Sequence, residues 1–399
     1  MIPISALARS IEPSATLAAG AKARELRATG VKVYDFSLGE PDFDTPLHIR
    51  AAAEVAMRTG QTHYTPAAGT AEVRKAVADW YGRTYGFACG AKNVIVSNGA
   101  KHSLHTALAA TVGPGDEVVI PAPYWVSYSD LVAMTGAKPV LVHTTLETRF
   151  KMSPAQLRAA ITPRTRVLML NSPCNPTGTV YTRAELEALV DVVLPTEVTI
   201  LSDEIYEQLT YGDAAPTCVA TLRPELAART ITISGASKSY AMTGWRMGWA
   251  VAPAEVVAAM DTIQSQETSC PSSVSQAALV AALSSPESSA SVASMRAEFA
   301  RRRERTYDLL AAIPGVRFDR ADGAFYAFFE VASFFGRSFG DRAVTDSVSF
   351  CAACLEQAHV NLVPGAAFGT EGFVRMSFAT TLETIDVGLG RLKAWLAAK

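Results

Sequence analysis

The stretch Thr230-Ile-Thr-Ile-Ser-Gly-Ala-Ser-Lys-Ser-Tyr-Ala-Met-Thr-Gly-Trp-Arg-Met-Gly248 decides the fold. It opens with a strand-length run, Thr230–Ser234. It continues as a loop of small residues that carries Ser237, Lys238 and Arg246, and a second apolar run, Trp245–Ala252, follows. Five more such runs precede it: Val94–Ser97, Glu117–Pro121, Lys138–His143, Arg166–Asn171 and Val198–Asp203. As a set they are continuous rather than alternating in polarity, the pattern of strands buried on both faces of a largely parallel sheet. Amphipathic helical patterns separate most of them and have recognisable starts. Thr182-Arg183-Ala184-Glu185 is a capping box, and Ser153-Pro154 reads as N-cap then first helical residue. The strand–helix rhythm over residues 90–255 predicts an α/β fold, with a mostly parallel central sheet and helices on both faces.

The chain has 399 residues, and a single core stops growing near ~250–300 residues, so two lobes are expected. The C-terminal part changes character. A long charged helix is predicted from Met295 to Ile313, carrying Arg301, Arg302, Arg303 and Arg305, which read as a solvated face because nothing aromatic interleaves them. A Gly-punctuated strand region (Val316–Val331), a helix (Val344–Ala358), a strand pair and a last helix follow, the signature of a smaller α+β domain. The expected division is an N-terminal segment packing with the small domain (1–45), a large ligand-binding domain (46–290) and the small C-terminal domain (291–399).

Composition narrows the function classes. Lys plus Arg number 36 against 38 Asp plus Glu, a formal charge of −2. No global field therefore attracts nucleic acid or an acidic membrane. Six cysteines in so long a chain do not make a disulfide framework, and the Cys351–Cys354 C-x-x-C lies in an apolar helical pattern that reads as buried packing. No apolar run reaches the ~18 residues of a membrane span. Residues 1–10 lack a charged region followed by an apolar one, so the expected location is the cytoplasm.

The chemistry lies at the ends of the strand runs. A lysine such as Lys238, in a tight loop of small residues, can serve as an imine-forming nucleophile once burial or a nearby cation lowers its pKa. Arg246 can be that cation and can grip a phosphate with its fork. A surface turn with an ordinary Lys and Arg fits the same segment. Asp203 ends the Val198 run, where open α/β sheets bind ligands. A carboxylate buried there needs a cation, and a protonated pyridine nitrogen would serve; capping a following helix is the alternative. Ser97-Asn-Gly-Ala-Lys-His102 opens a helix after the Val94 run. Its free N–H groups make a phosphate cradle, and Gly99 allows close approach. No P-loop and no G-x-G-x-x-G fingerprint occurs, which argues against a nucleotide enzyme. Trp125 follows the Glu117 run and can stack on a flat ring or sit in a core. Asn175, in the rigid turn Asn171-Ser-Pro-Cys-Asn-Pro-Thr-Gly178, can donate to a ring oxygen or a carboxylate. His102 and His105 form an H-x-x-H with no third ligand at metal spacing.

Together these residues resemble the class I aminotransferases, pyridoxal-phosphate (PLP) enzymes of fold type I, and within them the bacterial aspartate aminotransferase subgroup. The motifs that carry the likeness are S-L-G-E-P-D-F-D-T-P (37–46), H-Y-T-P-A-A-G (63–69), N-S-P-C-N-P-T-G (171–178), S-D-E-I-Y-E (202–207) and S-K-S-Y-A-M-T-G-W-R-M-G (237–248). The resemblance implies that Lys238 forms the Schiff base with the cofactor and shuttles the proton, and that Asp203 pairs with the pyridinium. It implies that Tyr206 and Asn175 bond the ring hydroxyl oxygen, and that Trp125 stacks on the ring. Gly99, Ala100, Lys101, Ser237 and Arg246 would surround the phosphate. Tyr64 resembles a tyrosine that reaches the neighbouring subunit's phosphate, which implies a homodimer with shared sites. Arg375 would grip the substrate α-carboxylate, assisted by Gly39 and Asn175, while residues 14–29 would close over the substrate.

The sequence departs from the subgroup at Glu12, where a lysine associated with acidic side-chain recognition usually stands. Lys101, at the position used for a distal carboxylate, is retained. The resulting expectation is amino transfer between L-aspartate and 2-oxoglutarate by a ping-pong route. A prephenate or aromatic aminotransferase is the alternative; a PLP lyase and a non-catalytic PLP-binding regulator stand further off.

Overall fold

A computed structural model describes residues 2–11, 13 and 15–397; Glu12 lies outside the described residues. The central sheet has seven strands in the order Val94–Asn98, Met247–Val251, Thr230–Gly235, Thr199–Asp203, Thr165–Asn171, Glu117–Ala122 and Lys138–His143. Met247–Val251 runs antiparallel to both of its neighbours, and the other pairs are parallel. The exception has a local cause. A parallel neighbour needs a crossover of about a dozen or more residues. Here Gly235 leads into a four-residue helix, Ala236–Ser239, and the chain turns back through Thr243–Trp245 and a left-handed Arg246 at φ 55°. The strand therefore starts at Met247 rather than at the expected Trp245.

Both faces of the sheet are covered. Ile95, Ile120, Met169 and Ile231 pack against Leu104 and Leu108 of the Ala100–Thr111 helix. Val119, Leu168 and Ile200 pack on the other face against Leu186, Leu189 and Val193 of the Arg183–Val193 helix, which starts at the expected Thr182 capping box. The apolar strand runs are thus explained by helices on two sides.

A four-stranded antiparallel sheet occupies the C-terminal part, in the order Val363–Pro364, Phe373–Ser377, Tyr326–Glu330, Arg317–Phe318. Phe299, Tyr307, Leu389 and Leu392, from the Glu287–Ala311 and Leu382–Ala397 helices, share its core. Phe36 joins that core, and Tyr34–Asp35 pairs in parallel with Val360–Asn361.

Three expectations need correction here. The long helix starts at Glu287, not Met295, because its serine-rich first turns show no apolar period. The helix expected from Val344 starts at Ser347, capped by Asp346, and its last turn, Cys354–Ala358, widens into a π-helix. The arginines of the long helix are not a uniform solvated face. Arg301 and Arg305 are open to solvent, whereas Arg302 is buried against Asp42 and Glu298. Cys351 and Cys354 are buried free thiols. No described helix is long and apolar enough to cross a membrane.

Candidate active site

Because the parallel strands share a direction, their C-terminal ends form one rim. Val94–Asn98 delivers Gly99, Ala100 and Lys101 there, Glu117–Ala122 delivers Trp125, and Thr165–Asn171 delivers Asn175. Thr199–Asp203 delivers Asp203 and Tyr206, and Thr230–Gly235 delivers Ser237 and Lys238. The antiparallel strand contributes its beginning, and so Arg246 joins the same rim. Gly39, Arg375 and Tyr326 come from outside the large sheet and close a cavity of about 390 Å³. Gly99 lies just behind its wall, against Arg246. Tyr64 does not line it: in a single chain this residue is 90% exposed.

Lys238 is half-buried and donates its ammonium to the Gly39 carbonyl at 2.6 Å. Burial pulls its pKa down to about 8; the Glu40 carboxylate opposes this, while the Arg246 and Arg375 guanidiniums reinforce it. The surface-turn reading of this lysine therefore does not hold. Burial pushes Asp203 up to about 6, against the hydrogen bonds it receives from Tyr128 and the Ile205 amide and the field of Lys238. Tyr128 donates to its Oδ2 at 2.6 Å and Ile205 N–H to its Oδ1 at 3.2 Å. No helix follows for Asp203 to cap.

Arg375 is 1% exposed. It donates to Ser37 O at 2.7 Å and to Asn175 Oδ1 at 3.0 Å, and its guanidinium lies 4.5 Å over the Tyr326 ring. Its Nε is buried with no partner. A buried guanidinium with a spare donor is costly to keep unless an anion completes it. Because the Asn175 oxygen is taken by Arg375, its amide nitrogen remains to donate. Tyr206 shares a 2.8 Å hydrogen bond with Tyr326.

The site fits a flat phosphorylated ring. A Cβ on Gly99 would stand 2.2 Å from Arg246 Nη2, and one on Gly248 would stand 2.1 Å from Ala100 N. Only glycines allow the Arg246 fork to meet the start of the Ala100–Thr111 helix, where free N–H groups suit a phosphate. Trp125 offers a ring face, with Lys101 Nζ 4.9 Å from its centroid. The acid at Asp203 suits a protonated ring nitrogen. Among the described residues no three His, Cys, Asp or Glu side chains gather as a metal site. His102 and His105 converge instead on Glu267, each at 2.8 Å.

A family model of class I and II aminotransferases matches residues 31–392. The chain belongs to that family. It is 45% identical to the aspartate/prephenate aminotransferase of Cereibacter sphaeroides, over 97% of each chain. It is 44% identical to the aspartate aminotransferase of Geobacillus stearothermophilus, over 98% of each. Its fold superposes on the crystal structure of the Rhizobium meliloti aspartate aminotransferase with a TM-score of 0.95, at 41% identity and 99% coverage of both chains. The same comparison with the Thermus thermophilus aspartate aminotransferase solved with maleate gives 0.93 at 39% identity, covering 99% of this chain and all of that one.

Several cavity residues of this aminotransferase escaped the sequence reading. Tyr128 carried a usable signal, standing three residues after Trp125 at the start of the Tyr128–Met134 helix. Asn171 supports the rim twice, donating to Asp203 O at 2.9 Å and accepting from Asn175 N at 2.8 Å. Tyr326 had no local signal, since it lies in a strand of the other sheet. Thr16 and Leu17, within the segment expected to close over the substrate, do line the cavity.

Proposed function

We propose that this chain is a PLP-dependent aminotransferase that moves the amino group between L-aspartate and 2-oxoglutarate. One observation carries the reading: a single cavity holds a half-buried amine, a buried acid and a buried guanidinium with a spare donor, at Lys238, Asp203 and Arg375. When bound, PLP supplies an aldehyde that condenses with amines and a pyridinium that accepts the electrons of a Cα–H bond. The protein's part is positioning and proton movement. Lys238 would hold the aldehyde through its amine and would carry the substrate proton, for which an amine with a pKa near 8 is suited. Asp203 would keep the ring nitrogen protonated. Tyr206 and Asn175 would bond the ring hydroxyl, and Trp125 would stack on the ring. Gly99, Ala100, Lys101, Ser237 and Arg246 would hold the phosphate. Arg375, with Gly39 and Asn175, takes the α-carboxylate.

Lys101 also takes the distal carboxylate; its place in the cavity lining, with its ammonium over Trp125, supports this. Tyr64 serves the site of a second copy in a homodimer. Its exposure, and that of Leu47, Val55 and Met57 on the Leu47–Arg58 helix, supports a surface that another chain covers. Six free cysteines support a reducing compartment, the cytoplasm.

The test is a coupled assay with purified protein, PLP, aspartate and 2-oxoglutarate. Oxaloacetate formation is expected. Two relatives named aspartate/prephenate aminotransferase, those of Cereibacter sphaeroides and Nitrosomonas europaea, favour a second reading, in which prephenate is the amino acceptor. Turnover of prephenate without turnover of aspartate and 2-oxoglutarate would replace the first reading by the second.

A further inference from the structure

Arg302 is a buried cation that the reaction above does not use. It sits midway along the Glu287–Ala311 helix, whose earlier residues Val292 and Met295 pack in the core beside the large sheet, while its later residues Tyr307 and Leu310 pack in the C-terminal core. Arg302 Nη1 meets Asp42 Oδ1 at 2.6 Å and its Nε meets Glu298 Oε1 at 2.9 Å. Its guanidinium lies 5.1 Å from the Phe43 ring centroid and 5.8 Å from that of Phe299.

Asp42 ends a strap, residues 37–42, whose Gly39 lines the cavity. Ser37 O receives Arg375, and Gly39 O receives Lys238. Gly39 runs so close to Tyr326 that a Cβ would stand 2.7 Å from its hydroxyl oxygen. The Ser37 end is fixed by Asp35 and Asn361. Past Gly39 the strap is held by Glu40, accepting from Thr243 at the surface, and by Asp42 on the buried Arg302.

We propose that Arg302 is a positioning residue for the reaction. Through Asp42 it fixes the strap whose Ser37 carbonyl aims Arg375 into the cavity and whose Gly39 backbone lines it. This rests on the reading that Arg375 receives the substrate α-carboxylate. A backbone carbonyl directs a long side chain only as well as its own segment is held, and small displacements at a reacting centre are expensive. The phosphate, held by Ala100, Ser237 and Arg246, does not depend on the strap's carbonyls.

The experiment compares the PLP-loaded wild type with Asp42→Asn, Arg302→Met, the double variant and Arg302→Lys. The readout is the dissociation constant of succinate, an unreactive dicarboxylate, followed through the cofactor absorbance, beside the dissociation constant of PLP. Each of D42N and R302M is expected to weaken succinate about tenfold, the size of losing one charge-assisted hydrogen bond. The double variant is expected to lose no more than either single variant, with PLP affinity unchanged and R302K recovering most of the loss. Succinate affinity within twofold of wild type in both single variants would overturn the proposal. So would losses that multiply in the double variant, or PLP affinity falling in step with succinate. If R302M does not fold, D42N, which removes only a charge, decides the matter with the same thresholds. A wild type that takes up no chromophore would instead sink the aminotransferase reading itself, and the strap's role with it.

Discussion

Tyr128 donates its hydroxyl hydrogen to Asp203 Oδ2 at 2.6 Å while its ring stands edge-on to Trp125, at 90° and 5.6 Å between centroids. One residue thus touches both the acid and the aromatic plate of the site. Burial keeps the phenol far above its ordinary pKa, so it stays a donor. Its hydrogen bond stabilises the Asp203 carboxylate and opposes the desolvation that raises its pKa. Tyr128→Phe should therefore push Asp203 further up and weaken its hold on a protonated ring nitrogen. We expect kcat to fall about tenfold, matching the ~1.5 kcal/mol of a hydrogen bond to a charged group. The absorbance titration of the bound cofactor should shift as well. Unchanged kcat and an unchanged titration would refute this role.

Lys238→Ala removes the amine that alone can both hold an aldehyde and move the proton. Turnover of aspartate should be abolished while the fold remains, since Ala236, Ser237 and Ser239 pack without it. Wild-type rates in steady-state assays of this variant would reject the assignment.

Arg375→Ala strips a carboxylate clamp and leaves Asn175 Oδ1 and Ser37 O without their donor. The loss should fall on capture: KM for aspartate rises about a hundredfold, within the few kcal/mol expected when one partner of a buried charge pair is cut away. Arg375→Lys should recover part of it, having the charge but not the fork. Initial-rate kinetics over a range of aspartate concentrations would decide; an unchanged KM counts against the clamp.

Much of the site was legible because its residues stand beside strand ends. Asp203, Ser237 and Lys238 each follow a buried run, and such runs can be read from composition alone. The antiparallel course of Met247–Val251 was not readable, although it is what brings Arg246 to the rim. Arg302 was misjudged for a similar reason. Its helix face looks charged, and its burial depends on Asp42, 260 residues away in sequence. Tyr326 reaches the cavity only because Tyr326–Glu330 pairs with the strand carrying Arg375. Local pattern carries no trace of such contacts.

Gly248 offers a test of the phosphate cradle. A methyl there would meet Ala100 N at 2.1 Å and Gly99 C at 2.3 Å, both backbone atoms that cannot swing aside. Gly248→Ala should displace the start of the Ala100–Thr111 helix and raise the PLP dissociation constant about tenfold or more, in line with the 1–3 kcal/mol of overpacking. Gly244→Ala is the control, because nothing stands within 4 Å of its added methyl. Equal cofactor affinity in the two variants, measured by fluorescence titration, would dismiss the cradle.

Glu204 and Glu207 lie buried behind Asp203, each 2% exposed. Ser202 donates to Glu204 and Ser234 to Glu207, and no cation stands among the hydrogen-bond partners of either carboxyl. Burial pushes Glu204 up to about 7 and Glu207 up to about 8, from an ordinary 4.5. Between pH 4.5 and 8 the folded chain therefore keeps protons that the unfolded chain has released. Stability contributed by these groups is whole below pH 4.5, falls as pH rises through the window and levels off above it. Glu207→Gln has nearly the same shape and no proton to lose. Its urea midpoint should match wild type near pH 5 and exceed it at pH 9, by an effect on the order of 3 kcal/mol. A variant that is equally destabilised at both pH values would show that Glu207 is ionised in the folded protein at neutral pH.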